Sequence, residues 1–450
     1  MKESAQQQRS KVFRTLFDGY QGPPFSVRLW DGWFWNSPGD QPPVATIIFS
    51  SSRALGSLLL RPSEVTLGEA YIHKEIDVEG DLFSVFEIAE HIFSCPKSKR
   101  RQILEILSGV LFGLGQWWSE GRSHSAQRDR KSISYHYDQP PEFYQPWLGP
   151  TMVYSCAYFQ SATDSLDRAQ QNKLELICRK LRLAPGERML DIGCGWGSLL
   201  IHAAAQHNVY TQGITLSQEQ AAFATQRIHH ARLDQSCRVS LLDYRKAPEE
   251  FEVFDKIASI GMFEHVGLKN LPLYFGTAYR MLKPGGVFLN HGIARAQATP
   301  KTDASFLDRV IVPFLRDTLM LRPPRSATFI GKYVFPDGEL ATITQASKAA
   351  EACGFEIRDV ENLREHYALT LRCWVNSLRE QESMILELVP ETTYRIWLLY
   401  MAGSAAAFRR GDIAVYQTLL SRPERGNSHL PLTRDDWYSS SMSQQQSVLV

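Results

Sequence analysis

A glycine-rich stretch joins an apolar segment to a segment of helical character and carries an acid at its start. It reads DIGCGWG, from Asp191 through Gly193 and Gly195 to Gly197. Glycines where a strand turns into a helix allow unusual backbone angles and a close approach of a ligand. Because dinucleotide-binding enzymes use glycines at the same place, this pattern alone predicts either a cofactor site or a purely structural turn.

Polar side chains around the turn favour S-adenosylmethionine over a dinucleotide. Asp191 directly precedes the glycines, where it suits a cationic amino-acid tail better than a pyrophosphate. Asp243, followed by Tyr244, ends a third predicted strand, where a carboxylate can accept a hydrogen bond from an adenine amino group. The second strand lacks the acid commonly used for ribose hydroxyls, so Thr215 and Gln220 are the available polar substitutes. These residues predict methyl transfer as the reaction.

Further segments resemble the cyclopropane fatty acid synthases and the related mycolic acid methyltransferases. In chain order they are YHYD (135–138), FY (143–144), WL (147–148), MVYSCAY (152–158), DIGCGWG (191–197), GITLSQEQ (213–220), GMFEHVG (261–267), KPGG (283–286), NHGI (290–293) and KYVFPDG (332–338). The segment LGEAYIHKEIDVEGDL (67–82) is similar to that family's shorter leading domain. YSCAYF and GMFEHVG together make the resemblance specific, and it covers most of residues 67–422.

The resemblance implies both a reaction and the residues that support it. The family adds the methyl group of S-adenosylmethionine to a cis double bond of a phospholipid acyl chain, and a bound bicarbonate takes a proton from that methyl as a ring closes. Side chains and backbone amides of five matched residues are implied to hold the bicarbonate: Cys156, Glu264, His291, Ile293 and Tyr367. Tyr154 and Ser155, which precede Cys156, are assigned to the cofactor site.

Each of these residues also has a simpler interpretation. Glu264 with His265 could cap a helix, His291 could be a hydrogen-bonded core group, and Tyr367 could serve packing alone. For Cys156 no thiol chemistry is needed, and its backbone amide is the favoured contributor. Tyr154 and Tyr158 flank Cys156 and are the aromatic side chains expected to stabilise positive charge, at about 0.5–2 kcal/mol each.

The elements that must position these residues alternate between strand and helix from residue 167 onward, which predicts a parallel sheet covered by helices on both faces. The fold class is therefore α/β, a doubly wound Rossmann-like class I methyltransferase sheet with helical insertions, preceded by a smaller α+β domain. The predicted boundaries are 1–120 for the leading domain, 121–134 for a linker, 135–430 for the methyltransferase domain and 431–450 for an unstructured tail.

Composition limits the partners. A net charge of +1 argues against capture of nucleic acid, and the chain has no apolar run long enough to span a bilayer. Its seven cysteines include no CxxC pair, which predicts reduced thiols, a cytoplasmic setting and no metal site. Basic clusters at 97–101 and 128–131 are candidates for transient membrane-surface contact, with a solvated surface as the alternative. By resemblance, the leading domain is a candidate for homodimer formation.

Two segments depart from the family pattern. Residues 139–142 read QPPE where the family has a different turn. The stretch 294–330 is longer than expected, and within it 305–325 reads as two short amphipathic pieces meeting near Pro313. We predict either a packed insertion or a lid that contacts the membrane.

Four functions follow as hypotheses. The first is formation of a cyclopropane ring on unsaturated phospholipid acyl chains. The second is a related fatty-acid C-methyltransferase that leaves a methyl or methylene branch. The third is a small-molecule N-methyltransferase, against which the bicarbonate set argues, since an amine needs no such base. The last is a lipid-binding protein without catalysis, which would not need Asp191, Gly193 and Asp243 together.

Overall fold

A computed structural model of the chain describes residues 17–52, 63–94, 140–296, 328–335 and 338–438, together with positions 10, 13, 14, 54 and 55. The predicted linker, both basic clusters and the amphipathic pieces of 305–325 lie outside the described residues. The chain divides into two compact units. None of the described helices combines the length and the apolar character that crossing a bilayer requires.

The smaller unit contains the described residues within 1–122, 299–336 and 382–406. Its sheet has the strand order β2-β1-β3-β4, with β1 at Phe25–Arg28, β2 at Phe34–Asn36, β3 at Ala45–Phe49 and β4 at Ile76–Gly80. Helices α1 (Glu64–Ile72) and α2 (Ser84–Ser94) accompany the sheet. Alternate residues of β1 and β3 are buried against aromatic side chains, among them Phe17 and Trp35, so this unit has its own core.

This unit also takes in a segment far along the chain, which the sequential boundary at residue 120 did not anticipate. Arg395 is buried, donates to the carbonyl of Tyr71 at 2.7 Å and to Asp77 at 2.8 Å, and lies over the Tyr71 ring at 4.0 Å. Such a buried, hydrogen-bonded arginine fixes its helix to the unit.

The larger unit is built on a seven-stranded sheet in the order β10-β11-β9-β8-β5-β6-β7. Its strands are β5 (Arg188–Ile192), β6 (Tyr210–Thr215), β7 (Cys237–Leu241), β8 (Phe254–Ile260), β9 (Leu282–Arg295), β10 (Glu356–Asn362) and β11 (Ile413–Ser421). Strands β5 to β9 pair in parallel, which confirms the Rossmann-like prediction. The sheet is mixed, however, because β11 lies antiparallel between β9 and β10. That departure from an all-parallel sheet brings residues of β11 beside β9.

Helices cover this sheet. They are α3 (Pro141–Leu148), α4 (Leu166–Leu181), α5 (Ser198–His207), α6 (Gln218–His230), α7 (Ala247–Glu250), α8 (Leu271–Met281), α10 (Ile343–Ala352) and α11 (Arg364–Glu380). Helices α9 (Phe329–Tyr333) and α12 (Glu382–Leu388) belong to the smaller unit, and α13 spans Glu391–Arg410. Side-chain caps at Ser165 and Ser217 start α4 and α6 by accepting from backbone N–H groups of the first turn.

The packed chain extends into the segment that the sequence assigned to an unstructured tail. A short 3₁₀ helix covers Asp435–Trp437, and the Trp437 side chain is buried in the core beside α4. Arg182, at the end of α4, pairs with Asp436, and its guanidinium lies 5.2 Å from the Trp437 ring, so these contacts hold the 3₁₀ helix against α4.

Candidate active site

A pocket opens where the parallel strands β5, β6 and β8 end, and it encloses about 970 Å³ of space that is partly open to solvent. The carboxyl ends of such strands are where doubly wound sheets bind their ligands. The lining comes from the segment 152–155, the turn after β5, the ends of β6 and β8, and Leu242 and Tyr244 after β7.

The glycine turn forms one wall of the pocket. Gly193, Gly195 and Gly197 all have positive φ, at 83°, 52° and 80°, which side chains rarely adopt. A Cβ added at Gly193 would lie 2.9 Å from the Met262 side chain, itself part of the lining. The backbone N–H groups of residues 193 and 194 both donate to the Ile214 carbonyl, so the turn is fixed to β6.

Asp191 lies at the base of the pocket with a buried carboxylate. Its Oδ1 atom has no hydrogen-bond partner among the described residues. Burial raises the pKa of Asp191 to about 7, and the nearby Lys173 ammonium opposes that rise. A buried carboxylate with a free oxygen is an incomplete ion pair, so this structure fits the cationic amino-acid tail of S-adenosylmethionine at Asp191.

Sequence reasoning missed Lys173, which is buried on α4 and also lines the pocket. Its ammonium donates to Ser155 Oγ at 3.1 Å, and burial lowers its pKa to about 8. Gln170, one turn earlier, donates to the carbonyls of Val153 and Ser155 at 3.4 and 3.0 Å. These two side chains therefore fix the segment 152–155 against the cofactor turn.

Arg227 on α6 is the second residue that the sequence did not reveal. Its guanidinium donates to Trp196 O at 2.8 Å, Ser198 Oγ at 2.9 Å and Thr151 O at 3.2 Å. One partly buried arginine thereby joins the glycine turn, the start of α5 and the segment before Met152. A positive charge on a helix of ordinary composition looks like a solvated side chain in sequence, so no pattern marked it.

Of the nine residues predicted to bind the cofactor, the structure brings eight together in the pocket lining: Tyr154, Ser155, Asp191, Gly193, Gly195, Thr215, Gln220 and Tyr244. Thr215 donates to Gln220 Oε1 at 2.8 Å, which holds the glutamine side chain at the pocket edge. Asp243 is not in the lining. Its carboxylate accepts from Arg245 Nε at 2.8 Å and Nη2 at 2.5 Å, so in this structure the acid pairs with arginine rather than facing the pocket.

An aromatic wall leads from the pocket toward Tyr367. Tyr154, in the lining, packs 5.1 Å from Trp374, whose ring lies 6.2 Å from Tyr367. Tyr158 points elsewhere and stacks on His366 at 4.9 Å with the planes 10° apart. Tyr154 is therefore the better placed of the two flanking tyrosines to meet a cationic sulfonium, and the Tyr158 ring face is covered on one side.

The residues assigned to bicarbonate lie beside this pocket rather than in its lining. Strand β8 ends its pairing with β9 at Ile260, so Ile293 has no strand partner on that side. Glu264 lies on a 3₁₀ helix after β8, and its Oε1 atom accepts a hydrogen bond from the Ile293 N–H at 2.7 Å. The amide that the resemblance assigned to bicarbonate is thus bound by Glu264. The other oxygen, Oε2, is buried without a partner among the described residues, and burial raises the Glu264 pKa to about 7.

His291 has a tautomer that its neighbours determine. Lys180 donates to Gln417 Oε1 at 2.8 Å, which leaves the glutamine NH₂ to face His291 Nδ1 at 3.2 Å. Nδ1 must then accept, and the ring proton belongs on Nε2, which is buried with no partner in the described part of the chain. Burial lowers the His291 pKa to about 3, so the neutral ring presents one free N–H donor at neutral pH.

Cys156 and Tyr367 meet at one carbonyl. The Cys156 thiol lies 3.7 Å from Leu363 O, and the Tyr367 N–H donates to the same oxygen at 3.1 Å. The Leu363 N–H donates to Val415 O, and Val415 is the register partner of Ile293. Strand β11 therefore connects Cys156 and Tyr367, which meet at Leu363, to Ile293 on β9. Burial raises the pKa of the Cys156 thiol, which keeps it neutral and agrees with a role without sulfur chemistry.

The pH dependence of cofactor binding follows from Asp191. We predict that the ligand's cationic tail pairs with the ionised Asp191 carboxylate, so affinity for S-adenosylmethionine is expected to fall as pH drops below about 7, approaching tenfold per pH unit. Calorimetric titration between about pH 5.5 and pH 8 measures this, and buffers of different ionisation enthalpy should reveal proton release on binding. Asp191→Asn should bind weakly with a flat profile. If the affinity of the unaltered protein for S-adenosylmethionine did not change with pH, Asp191 would not be the residue that pairs with the cationic tail.

Comparison with known proteins gives consistent matches. The family described as mycolic acid cyclopropane synthetase matches residues 124–418, and a domain of unknown function matches residues 12–96. A probable fatty acid methyltransferase of Pseudomonas putida is 38% identical over 416 residues, 92% of this chain and 96% of that protein. The cyclopropane-fatty-acyl-phospholipid synthase of Escherichia coli (strain K12) is 38% identical over 287 residues, 64% of this chain and 66% of that protein. The solved structure of mycolic acid cyclopropane synthase CmaA1 with SAH and CTAB has a TM-score of 0.57 at 33% identity, over 65% of this chain and 97% of that one.

Proposed function

Because the chain belongs to the mycolic acid cyclopropane synthetase family and is an S-adenosylmethionine-dependent methyltransferase that modifies fatty acids or lipids, we propose that it forms cyclopropane rings on unsaturated phospholipid acyl chains. The observation that carries this proposal is the pair of buried, unpartnered polar atoms, Glu264 Oε2 and His291 Nε2, beside a pocket that fits the cofactor. A methyltransferase acting on an amine would need no such pair.

The cofactor, when bound, supplies an electrophilic methyl group, and an alkene is a poor nucleophile for it. The residues must therefore hold the two reactants in line and exclude water. Asp191 and the glycine turn bind the cofactor, while Lys173 and Gln170 fix the segment that carries Tyr154. The aromatic ring of Tyr154, in the pocket lining, would stabilise the positive charge that develops on the acyl chain.

Addition of a methyl cation to the alkene leaves a carbocation, and ring closure requires loss of a proton from the added methyl. Bicarbonate would supply the proton acceptor. The free His291 N–H would donate to such an anion, and ionised Glu264 would accept from its hydroxyl through Oε2. Cys156 contributes no charge, since its buried thiol stays neutral. This donor and acceptor pair fits an anion that also carries a proton.

A second function is favoured by one observation. The Pseudomonas putida relative, which this chain matches over nearly its whole length, is named as a probable fatty acid methyltransferase, whereas the Escherichia coli synthase matches 64% of the chain. The alternative product is an acyl chain with a methyl or methylene branch. The two reactions share the carbocation and differ in which proton leaves or whether hydride is added.

Analysis of lipids from a host that expresses the protein separates these products. The expected result is a gain of one CH₂ in the mass of monounsaturated phospholipids, with loss of the alkene signals and appearance of cyclopropane protons in the NMR spectrum. An alkene retained as a C=CH₂ branch, or a further gain of two hydrogens, would replace ring formation by the branching reaction. Lipids that gain no carbon, in cells where the protein is soluble and binds S-adenosylmethionine, would overturn both.

Access to lipid completes the proposal. An acyl chain that moves from a bilayer into an apolar groove gains little hydrophobic free energy, so attraction to the membrane surface must supply affinity. We propose transient peripheral contact from the cytoplasmic side by the basic clusters at 97–101 and 128–131 and by 305–325. A homodimer through the leading domain stays a prediction.

A further inference from the structure

A cluster of soft and borderline metal ligands lies between α4 and α5, separate from the residues that line the cofactor pocket. Cys178, His202 and His207 each place one donor atom within 4.8 Å of the others. Glu175, one turn before Cys178, brings Oε2 to 3.1 Å from Nε2 of both histidines. The mechanism proposed above uses none of these four side chains.

We propose that Glu175, Cys178, His202 and His207 form a binding site for a borderline-soft divalent metal ion, of which Zn²⁺ is the representative. One thiolate, two imidazoles and a carboxylate make a donor set that zinc binds tetrahedrally. Carboxylate-rich oxygen sites suit Mg²⁺ and Ca²⁺ instead, so this composition selects against those ions.

The helical geometry suits a shared ion. Glu175 and Cys178 are three residues apart and lie on one face of α4, while His207 is the last residue of α5 and His202 lies five positions before it. Ligands of a tetrahedral zinc ion lie about 3.3–3.8 Å apart, given bonds of about 2.0–2.3 Å. The two 3.1 Å carboxylate–imidazole distances are already close to that spacing.

Access and proton balance are compatible with binding. The side chains of Glu175, His202 and His207 are 31%, 19% and 20% exposed, so an ion can enter from solvent while Cys178 forms the buried end. Binding breaks the Cys178 S–H bond, forms a metal–sulfur bond and releases that proton to solvent. The imidazoles bind in their neutral form, and the two hydrogen bonds to Glu175 are exchanged for bonds to the metal.

Sequence spacing gave no sign of this site. The prediction of no metal rested on the lack of CxxC pairs, but the ligands come from two helices and meet only in the fold. A bound ion would join α4, which carries Lys173 and Gln170 at the pocket, to the end of α5. It would stabilise the folded chain by an amount that grows with the logarithm of the free metal concentration above the dissociation constant.

The test is metal content of the full-length, untagged protein, freed of metal with a chelator and then exposed to Zn²⁺ or Co²⁺ alone. We expect one tightly held ion per chain after gel filtration, a higher midpoint of thermal unfolding with Zn²⁺, and a sulfur-to-cobalt charge-transfer band with Co²⁺. His202→Gln and His207→Gln, at partly exposed positions, should each weaken binding by more than the roughly 10–100-fold that loss of a hydrogen-bond partner of a metal ligand costs. Cys178→Ala should abolish the charge-transfer band even where some Co²⁺ still binds.

A matched control is available on α6. His229 and His230 form an exposed pair without a cysteine, so changing both to Gln should leave metal binding unaltered. Changing the partly buried Cys353 and Cys373 to Ser tests for adventitious thiol binding and should also have no effect. Absence of tight binding in the unaltered protein, or equal binding in the His202 and His207 variants, would overturn the site. Because metal content is measured directly, this result does not depend on whether the protein methylates lipids.

Discussion

Replacing Gly193 with valine, or Asp191 with alanine, is expected to abolish measurable binding of S-adenosylmethionine. At Gly193 the φ of 83° strains any side chain, and its Cβ would force Met262 out of the pocket wall. At Asp191 the loss leaves the ligand's ammonium without its buried counter-charge, which costs about 3–5 kcal/mol. Calorimetry should therefore show affinity reduced at least about 100-fold for each variant.

Controls separate these effects from loss of folding. Gly186 has nearly the same φ, at 84°, in a turn before β5 that does not reach the pocket, so Gly186→Val should reduce stability yet preserve affinity. Asp191 has a pKa of about 7 in the folded protein against 3.8 in the unfolded chain, so its contribution to stability is lost as pH rises through that interval. Asp191→Ala should consequently be at least as stable above pH 7 as the unaltered chain. Cofactor affinity unchanged in both pocket variants would refute the assigned site.

Changing Glu264 to glutamine or His291 to alanine is expected to reduce turnover at least about 100-fold with cofactor affinity nearly unchanged. In the proposed mechanism both groups act on the proton that leaves after the cofactor is bound, so we expect their loss to lower kcat and to leave cofactor binding unchanged. Glutamine keeps the oxygen that accepts from Ile293 but presents a donor where Oε2 stands. Turnover in the unaltered enzyme should also rise as pH passes about 7, where Glu264 ionises, and should respond to bicarbonate in carbonate-depleted buffer.

The tautomer of His291 gives a sharper version of this test. Gln417→Glu is nearly isosteric, keeps the partner of Lys180, and can only accept at His291 Nδ1. The ring proton should move from Nε2 to Nδ1, which ¹⁵N NMR of the imidazole reports directly, and turnover should fall. Gln417 is thus a positioning residue.

Tyr367→Phe should likewise reduce kcat. Full turnover in Glu264→Gln, with no bicarbonate response, would rule out this mechanism.

The sequence predicted the central strands of the larger sheet but not several of the edge strands. Strands β5, β6, β8 and β9 are largely buried and alternate with helices, so their apolar residues mark them. Strand β7 was also predicted, although it lies at one edge of the sheet and is partly exposed. By contrast β10 at one edge reads EIRDVEN, with no buried residue, and β4 at the edge of the smaller sheet reads IDVEG. Edge strands are often polar and short, which removes the hydrophobic alternation on which prediction depends.

The cofactor turn could be predicted because its glycines and Asp191 occur together with Asp243 and with the segments that resemble a known family. Lys173 and Arg227 could not, because a charged residue on a helix is normally solvated. Only the packing of α4 buries Lys173, and only the packing of α6 brings Arg227 within hydrogen-bond distance of the glycine turn. The pairing of Asp243 with Arg245 depends on a local 3₁₀ turn that no residue pattern announces. Histidine tautomers likewise depend on neighbours such as Gln417, more than a hundred positions away.

The antiparallel insertion of β11 sets the order in which the protein can be completed during translation. Strand β9, fourteen residues long, emerges with one edge unpaired, and its partner β11 follows roughly 120 residues later. At about 5–20 residues per second, a ribosome needs on the order of 6–24 s to supply it. During that interval the open edge of β9 can pair with other nascent chains. Chaperones that bind nascent chains, or slow codons between β9 and β11, should therefore affect the soluble yield more than slow codons near β5 do.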